Sequence, residues 1–269
     1  MIGFNALGRM GRLGNQMFQY AALKGIARNI GANITIPYHK DAVNDGIGNM
    51  LRTELFDSFD IDVNIGLLNN GHAPVVQERH FHFDEELFRM CPDHVDLRGY
   101  FQSEKYFKHI EDEIREDFLF KTDVIKDCRE AFKENLGDTE VISLHIRRGD
   151  YVLNDNHPVQ PIEYYQQALD KLPSDIPVLV FSDDTEWCKA HEFFRPDRFF
   201  ILEGNGTEVD MCMMSLASYH IIANSSFSWW GAWLAKSKHV IAPKNWFGGG
   251  CVNKSVTDME FNTGNWSWL

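Results

Sequence analysis

The tightest constraint on the fold is an alternation that begins at Val141. Apolar runs of strand length at 141–146, 177–182, 199–202, 219–223 and 239–242 are separated by segments that read as helices at 161–172, 185–194, 208–218 and 228–236. Strands joined through intervening helices pair in parallel, so the pattern predicts a doubly wound α/β sheet. The N-terminal end reads similarly. Met1 to Leu7 forms a strand, Gly8, Gly11 and Gly14 fall in the following loop, and Asn15 is placed to cap a helix running to about Asn29. Gly31 stops that helix, and Ile34 to Pro37 forms the second strand of a β-α-β unit. Two more helices are expected near 103–117 and 122–136, whereas residues 41–100 carry no readable pattern. The expectation is two α/β domains, 1–138 and 139–269, with a cleft between them.

Composition narrows the partners. The chain has 269 residues, 44% of them hydrophobic, and a net charge of −13. That balance excludes a broad nucleic-acid surface, which needs basic patches, so any arginine that meets a phosphate must act locally. Cys91, Cys128, Cys188, Cys212 and Cys251 are widely spaced, without a CxxC pair. No signal peptide and no apolar run of about 18 residues is present, so the expectation is a cytoplasmic chain with reduced thiols and no integral membrane segment.

Three segments carry chemistry. The strand ending at Ile146 presents His145, Arg147, Arg148, Asp150 and Tyr151, and guanidinium groups at a strand end need anions. Neighbouring strand residues face opposite ways, so one arginine is expected to clamp a phosphate and the other to hold Asp150 or the loop. Gly8-Arg9-Met10-Gly11-Arg12-Leu13-Gly14 has GxxGxxG spacing, and Pro37-Tyr38-His39 stands where a ribose-binding acid would be, which disfavours a nicotinamide enzyme. Asp183-Asp184 follow an apolar strand, where a carboxylate can meet a base or ribose, although Asp is equally an ordinary helix N-cap. They show no DxD spacing and no clustered His, which makes a metal site there weak. Asn224, Ser225, Ser226 and Phe227 open the helix carrying Trp229, Trp230 and Trp233. Bare N–H groups and hydroxyls there suit a diphosphate, while the tryptophans read as core.

Taken in order, Gly11-Arg12-Leu13-Gly14-Asn15-Gln16-Met17-Phe18-Gln19-Tyr20, His145–Tyr151 and Ser225–Ala232 resemble the α-1,2-fucosyltransferases of glycosyltransferase family 11. The resemblance implies a GT-B-like fold of two Rossmann-like domains, GDP-fucose as co-substrate, inversion at the anomeric carbon, and no metal or other cofactor. It implies transfer of L-fucose to the 2-hydroxyl of a terminal β-galactoside, so the partners are GDP-fucose and a galactose-containing oligosaccharide. Arg147 or Arg148 and the helix start at Ser225-Ser226 would take up charge on the leaving diphosphate. Asp150 is the first candidate base and Asp155 the second, with arginine orientation as the other role open to Asp150. His145 would lie at the nucleotide, and Asn15 and Gln16 would line the cleft. The competing readings are another linkage or acceptor, and a nucleotide-sugar-binding protein without catalysis. The Arg-Gly-Asp triplet at 148–150 sits at a strand end and is not read as an adhesion motif.

Overall fold

The computed structural model describes residues 1–46, 48–136, 139–249 and 265–269; Cys251 lies outside them. The chain divides into two compact units, which among the described residues are 1–120, and 121–249 with 265–269. The division falls at Lys121, ahead of the expected junction at residue 138. The reason is packing, because the helix at 122–136 belongs to the second unit, where the thiols of Cys128 and Cys212 are hydrogen-bonded.

The first unit contains β1 (Ile2–Gly3), α1 (Leu13–Ile30), β2 (Ile34–Ile36), the antiparallel pair β3 (Val43–Asn44) and β4 (Met50–Leu51), α2 (Leu55–Ser58), β5 (Asn64–Ile65), β6 (Val75–Gln77), α3 (Glu85–Met90), β7 (Asp96–Arg98) and α4 (Glu111–Asp117). Its parallel sheet runs β5-β2-β1-β7-β6, so the unreadable stretch 41–100 supplies three of its strands. The helix expected over 103–117 is instead two 3-10 turns followed by α4. Asn15 does not cap α1. The helix starts at Leu13 after Arg12, and the Glu54 carboxylate accepts the Leu13 N–H at 2.6 Å, so a side chain from a distant loop does the capping. The other end matches expectation, with Gly31 left-handed at φ 69°.

The second unit contains α5 (Thr122–Leu136), β8 (Ile142–Ile146), α6 (Ile162–Leu169), β9 (Val178–Ser182), α7 (Thr185–Ala190), β10 (Phe199–Ile201), α8 (Thr207–Ser215), β11 (Tyr219–Ile221), α9 (Ser226–Leu234), β12 (His239–Ala242) and β13 (Trp266–Trp268). Its sheet is parallel throughout, in the order β10-β9-β8-β11-β12-β13. Ile142, Leu144, Val178, Val180, Ile221 and Ile241 form its buried centre with Tyr164, Tyr165 and Ala168 of α6. The chain steps outward from β8 to β10 and then returns to place β11 beside β8. Strand order therefore reverses between β8 and β11, and open α/β sheets take ligands at the carboxyl ends of the strands flanking such a reversal. In the first unit the reversal lies between β1 and β7. Among the described residues, no helix is long and apolar enough to cross a membrane.

Candidate active site

The carboxyl ends of β8 and β11 bring together the two strongest sequence signals. His145 lies within β8, and Arg147 and Arg148 follow just past its end. His145 Nδ1 is hydrogen-bonded to Ser228 Oγ at 2.9 Å, and its ring lies 5.9 Å from that of Phe227. Burial, with the nearby Arg147 charge, lowers the His145 pKa to about 3, so the imidazole is neutral. Ser225 is the N-cap of α9, its Oγ accepting from Phe227 N at 3.3 Å. His145 thus faces the first turn, the positive end, of α9.

The two arginines are held differently. Arg147 donates from Nη2 to Asp150 Oδ1 at 2.5 Å and from Nη1 to Asp183 Oδ2 at 2.8 Å, and its guanidinium lies 5.1 Å from the Tyr151 ring centroid. Of five guanidinium N–H donors, these two bonds leave three for a ligand. Arg148 pairs through Nε with Asp184 Oδ2 at 3.0 Å and stacks 4.0 Å from the Trp187 ring centroid. Asp184 also caps α7, accepting from Trp187 N. Asp183 joins the two halves, its Oδ1 accepting the Arg148 backbone N–H at 2.9 Å. All three aspartates are therefore engaged by arginine. Among the described residues, no group of three or more His, Cys, Asp or Glu is arranged to hold a metal ion.

The other sequence candidates make contacts of their own. Asn224 is buried, its Nδ2 donating to the carbonyls of Pro158 and Trp246 at 3.0 Å each, while its own carbonyl accepts from Tyr151 Oη. It brackets three loops. Asp155 lies on the exposed loop after the arginines, without a cation partner among the described residues. In the first unit, Gln16 is wholly buried. Its Nε2 donates to the carbonyls of Gly11 and Arg52 and its Oε1 accepts from Glu54 N, so its carboxamide is spent on the loop. Asn15 lies at the first unit's strand reversal, its Oδ1 accepting from Gln102 Nε2 at 2.7 Å.

Sequence reasoning missed several members. Ser228 and Tyr151 lie inside the motifs without an assigned contact, Trp187 lies outside them, and Gln102 follows the unreadable stretch 41–100. Asp210, in the first turn of α8, sits beyond the carboxyl end of β10. Burial raises its pKa to about 6, and among the described residues its Oδ1 accepts only from Asn205 Nδ2, at 3.0 Å. Its sequence signal was a lone acid among apolar neighbours, Val209, Met211 and Cys212.

His145 meets the start of α9 at a strand reversal, where open α/β sheets take ligands, and comparison with known proteins supplies the class, a glycosyltransferase. Residues 1–263 match the profile of glycosyl transferase family 11, and the chain belongs to that family. It is 34% identical over 269 residues to an Escherichia coli α-1,2-colitosyltransferase, covering 88% of this chain and 90% of that protein. It is 28% identical over 253 residues to galactoside α-(1,2)-fucosyltransferase 2 of Oryctolagus cuniculus, covering 86% of this chain and 67% of that one. The fold is that of the NodZ α-1,6-fucosyltransferase solved after soaking with GDP-fucose, with a TM-score of 0.58 at 14% identity over 92% of this chain and 96% of that one. The GT-B-like α/β class expected from sequence is thereby established.

Proposed function

We propose that this transferase moves L-fucose from GDP-β-L-fucose to the 2-hydroxyl of a terminal β-galactoside, inverting the anomeric carbon without a metal. The observation that carries the reading is the meeting of His145 with the first turn of α9 at the β8/β11 reversal, with Arg147 two residues further along the chain. As the acceptor oxygen bonds to the anomeric carbon, the bond to the β-phosphate breaks and its electron pair stays on GDP. The growing charge is offered the spare Arg147 donors and the helix dipole, which is where electrostatic catalysis acts. Arg148, tied to Asp184 and Trp187, supports the loop. Asp150 orients Arg147, which leaves Asp155 as the carboxylate to take the acceptor proton.

Guanine specificity is assigned to Asp210. A half-buried carboxylate with a single amide partner is under-satisfied, and the adjacent N1–H and N2–H donors of guanine complete it where uracil cannot. The four described cysteines are free thiols, which supports a cytoplasmic setting.

The relationship to a colitosyltransferase favours a second reading, a donor carrying colitose, which lacks the 3-hydroxyl of fucose. One experiment separates these. The protein is incubated with GDP-fucose, GDP-colitose or UDP-galactose and a panel of β-galactosides, and products are read by mass spectrometry and linkage analysis. The expected product is an α-1,2-fucosylated galactoside. Transfer of colitose alone selects the second reading, a different linkage corrects the acceptor geometry, and GDP binding without any transfer leaves a binding protein.

A further inference from the structure

Tyr151 links Arg147 to a residue that no motif contains. Its ring carries the Arg147 guanidinium at 5.1 Å and stacks on His157 with centroids 5.0 Å apart and planes 19° from parallel. Its hydroxyl is pinned to the Asn224 carbonyl at 3.2 Å. His157 packs in turn on Phe247, with centroids 5.6 Å apart, and the adjoining Gly248 N–H donates to the Asn156 carbonyl at 2.8 Å. An added Cβ at Gly248 would lie 1.9 Å from the Asp155 carbonyl oxygen, so the 155–157 and 247–248 segments are held in close register. His157 Nδ1 is buried without a hydrogen-bond partner among the described residues.

We propose that His157 is a positioning residue, which through the Tyr151 ring fixes the Arg147 guanidinium in the orientation that meets the leaving diphosphate. The inference rests on the donor reading above and adds a residue to it. A flat ring must lie beneath Tyr151, because the hydroxyl tether alone leaves the ring free to rock about the Cβ–Oη axis. Without that support the guanidinium is held, among the described residues, by Asp150 and Asp183 alone. The charge on the supporting ring matters as well. The charged groups facing His157 are Asp150 and Arg147, while Tyr151 and Phe247 are uncharged. Burial is the largest influence on its pKa and lowers it, with Asp150 opposing and Arg147 reinforcing. A proton on His157 would put an N–H at a site without an acceptor and a second cation beside Arg147. The neutral ring is therefore the working form, and activity falls as acid titrates it.

The test compares His157→Ala, His157→Phe and wild type for kcat, acceptor KM, the pH dependence of kcat and GDP affinity. Melting temperatures establish that each variant is folded. H157A is expected to lose about 10-fold in kcat with acceptor KM nearly unchanged, since a small misplacement of a positioned group reduces turnover without removing binding contacts. H157F restores the plane without the proton, so it should recover most of that loss, and the acid limb of its kcat profile should move to lower pH. Equal losses in both variants, or an unmoved acid limb in H157F, would overturn the proposal, as would wild-type kcat in H157A. If H157A does not fold, the H157F profile alone decides. If wild type binds GDP but transfers no sugar, the donor reading fails and the stack is judged by GDP affinity. Weakening of about 5-fold or more in H157A but not in H157F supports it, and equal affinities refute it.

Discussion

Gly149 separates Arg148 from Asp150, and a Cβ there would lie 2.3 Å from Asp183 Oδ2, the oxygen that holds Arg147. Asp183 cannot give way without releasing Arg147 Nη1, the Arg148 N–H, or both. The Arg-Gly-Asp spacing thus follows from packing, because one hydrogen at residue 149 lets a carboxylate from the next strand reach both arginines. Gly149→Ala is expected to lower kcat by at least about 10-fold while moving the melting temperature by little, since the residue is exposed and its φ lies outside the left-handed region. Normal turnover in G149A would show that Asp183 does not set the arginine geometry.

At the scale of elements, α1 is seated by a glycine as well. A Cβ on Gly25 would lie 2.0 Å from the Tyr106 carbonyl oxygen, a backbone atom that cannot rotate away. Alanine improves helix propensity by about 1 kcal/mol, whereas forcing apart a packed contact costs about 1–3 kcal/mol and more where backbone must shift. Gly25→Ala should therefore lower unfolding free energy by roughly 2 kcal/mol in urea titrations, and an unchanged midpoint would contradict that packing. The two units differed in how far sequence revealed their elements. In the second, Ile142–Ile146 and Val178–Ser182 are long enough to show their own apolar pattern between turn residues. In the first, Asn64–Ile65, Val75–Gln77 and Asp96–Arg98 are too short to do so, and pairing with β2, β7 and β1 respectively makes them strands. The start of α1 was hidden for a related reason, since Glu54 caps it across a long loop. At the site, sequence marks Arg147 and Arg148, which lie past the end of β8 and pair with different aspartates. Their partners Asp183 and Asp184 depend on the register of β8 against β9, where Ile146 stands opposite Ser182, and that register is a tertiary fact.

Across the whole molecule, buried histidines make stability depend on pH. Burial lowers His145 to about 3 and His220 to about 4, with His157 lowered in the same direction. In the unfolded chain each takes a proton near pH 6.5, so their stabilising effect is complete above that value and declines as pH falls toward the folded values. Asp210, raised to about 6 by burial, acts oppositely but only below about pH 6. The melting temperature should therefore fall between pH 7.5 and 5.5, by on the order of 1 kcal/mol for each fully buried histidine, and a flat or rising profile would contradict neutral buried rings. Charge also frames the reaction. A chain of net charge −13 repels a nucleotide diphosphate at long range, so attraction must be local, and Arg147 and the α9 N-terminus are the groups proposed to supply it. The most direct test of that claim is kcat for fucose transfer by wild type, R147A, R147K and R148A in excess chelator. Wild type should keep its rate. R147A should lose at least about 10²-fold while remaining folded, with R147K only partly restored because lysine lacks the fork of donors. R148A should lose thermal stability along with activity, its Asp184 partner left without a cation. Near-normal turnover in R147A, or a wild-type enzyme silenced by chelator and revived by magnesium or manganese, would contradict the account.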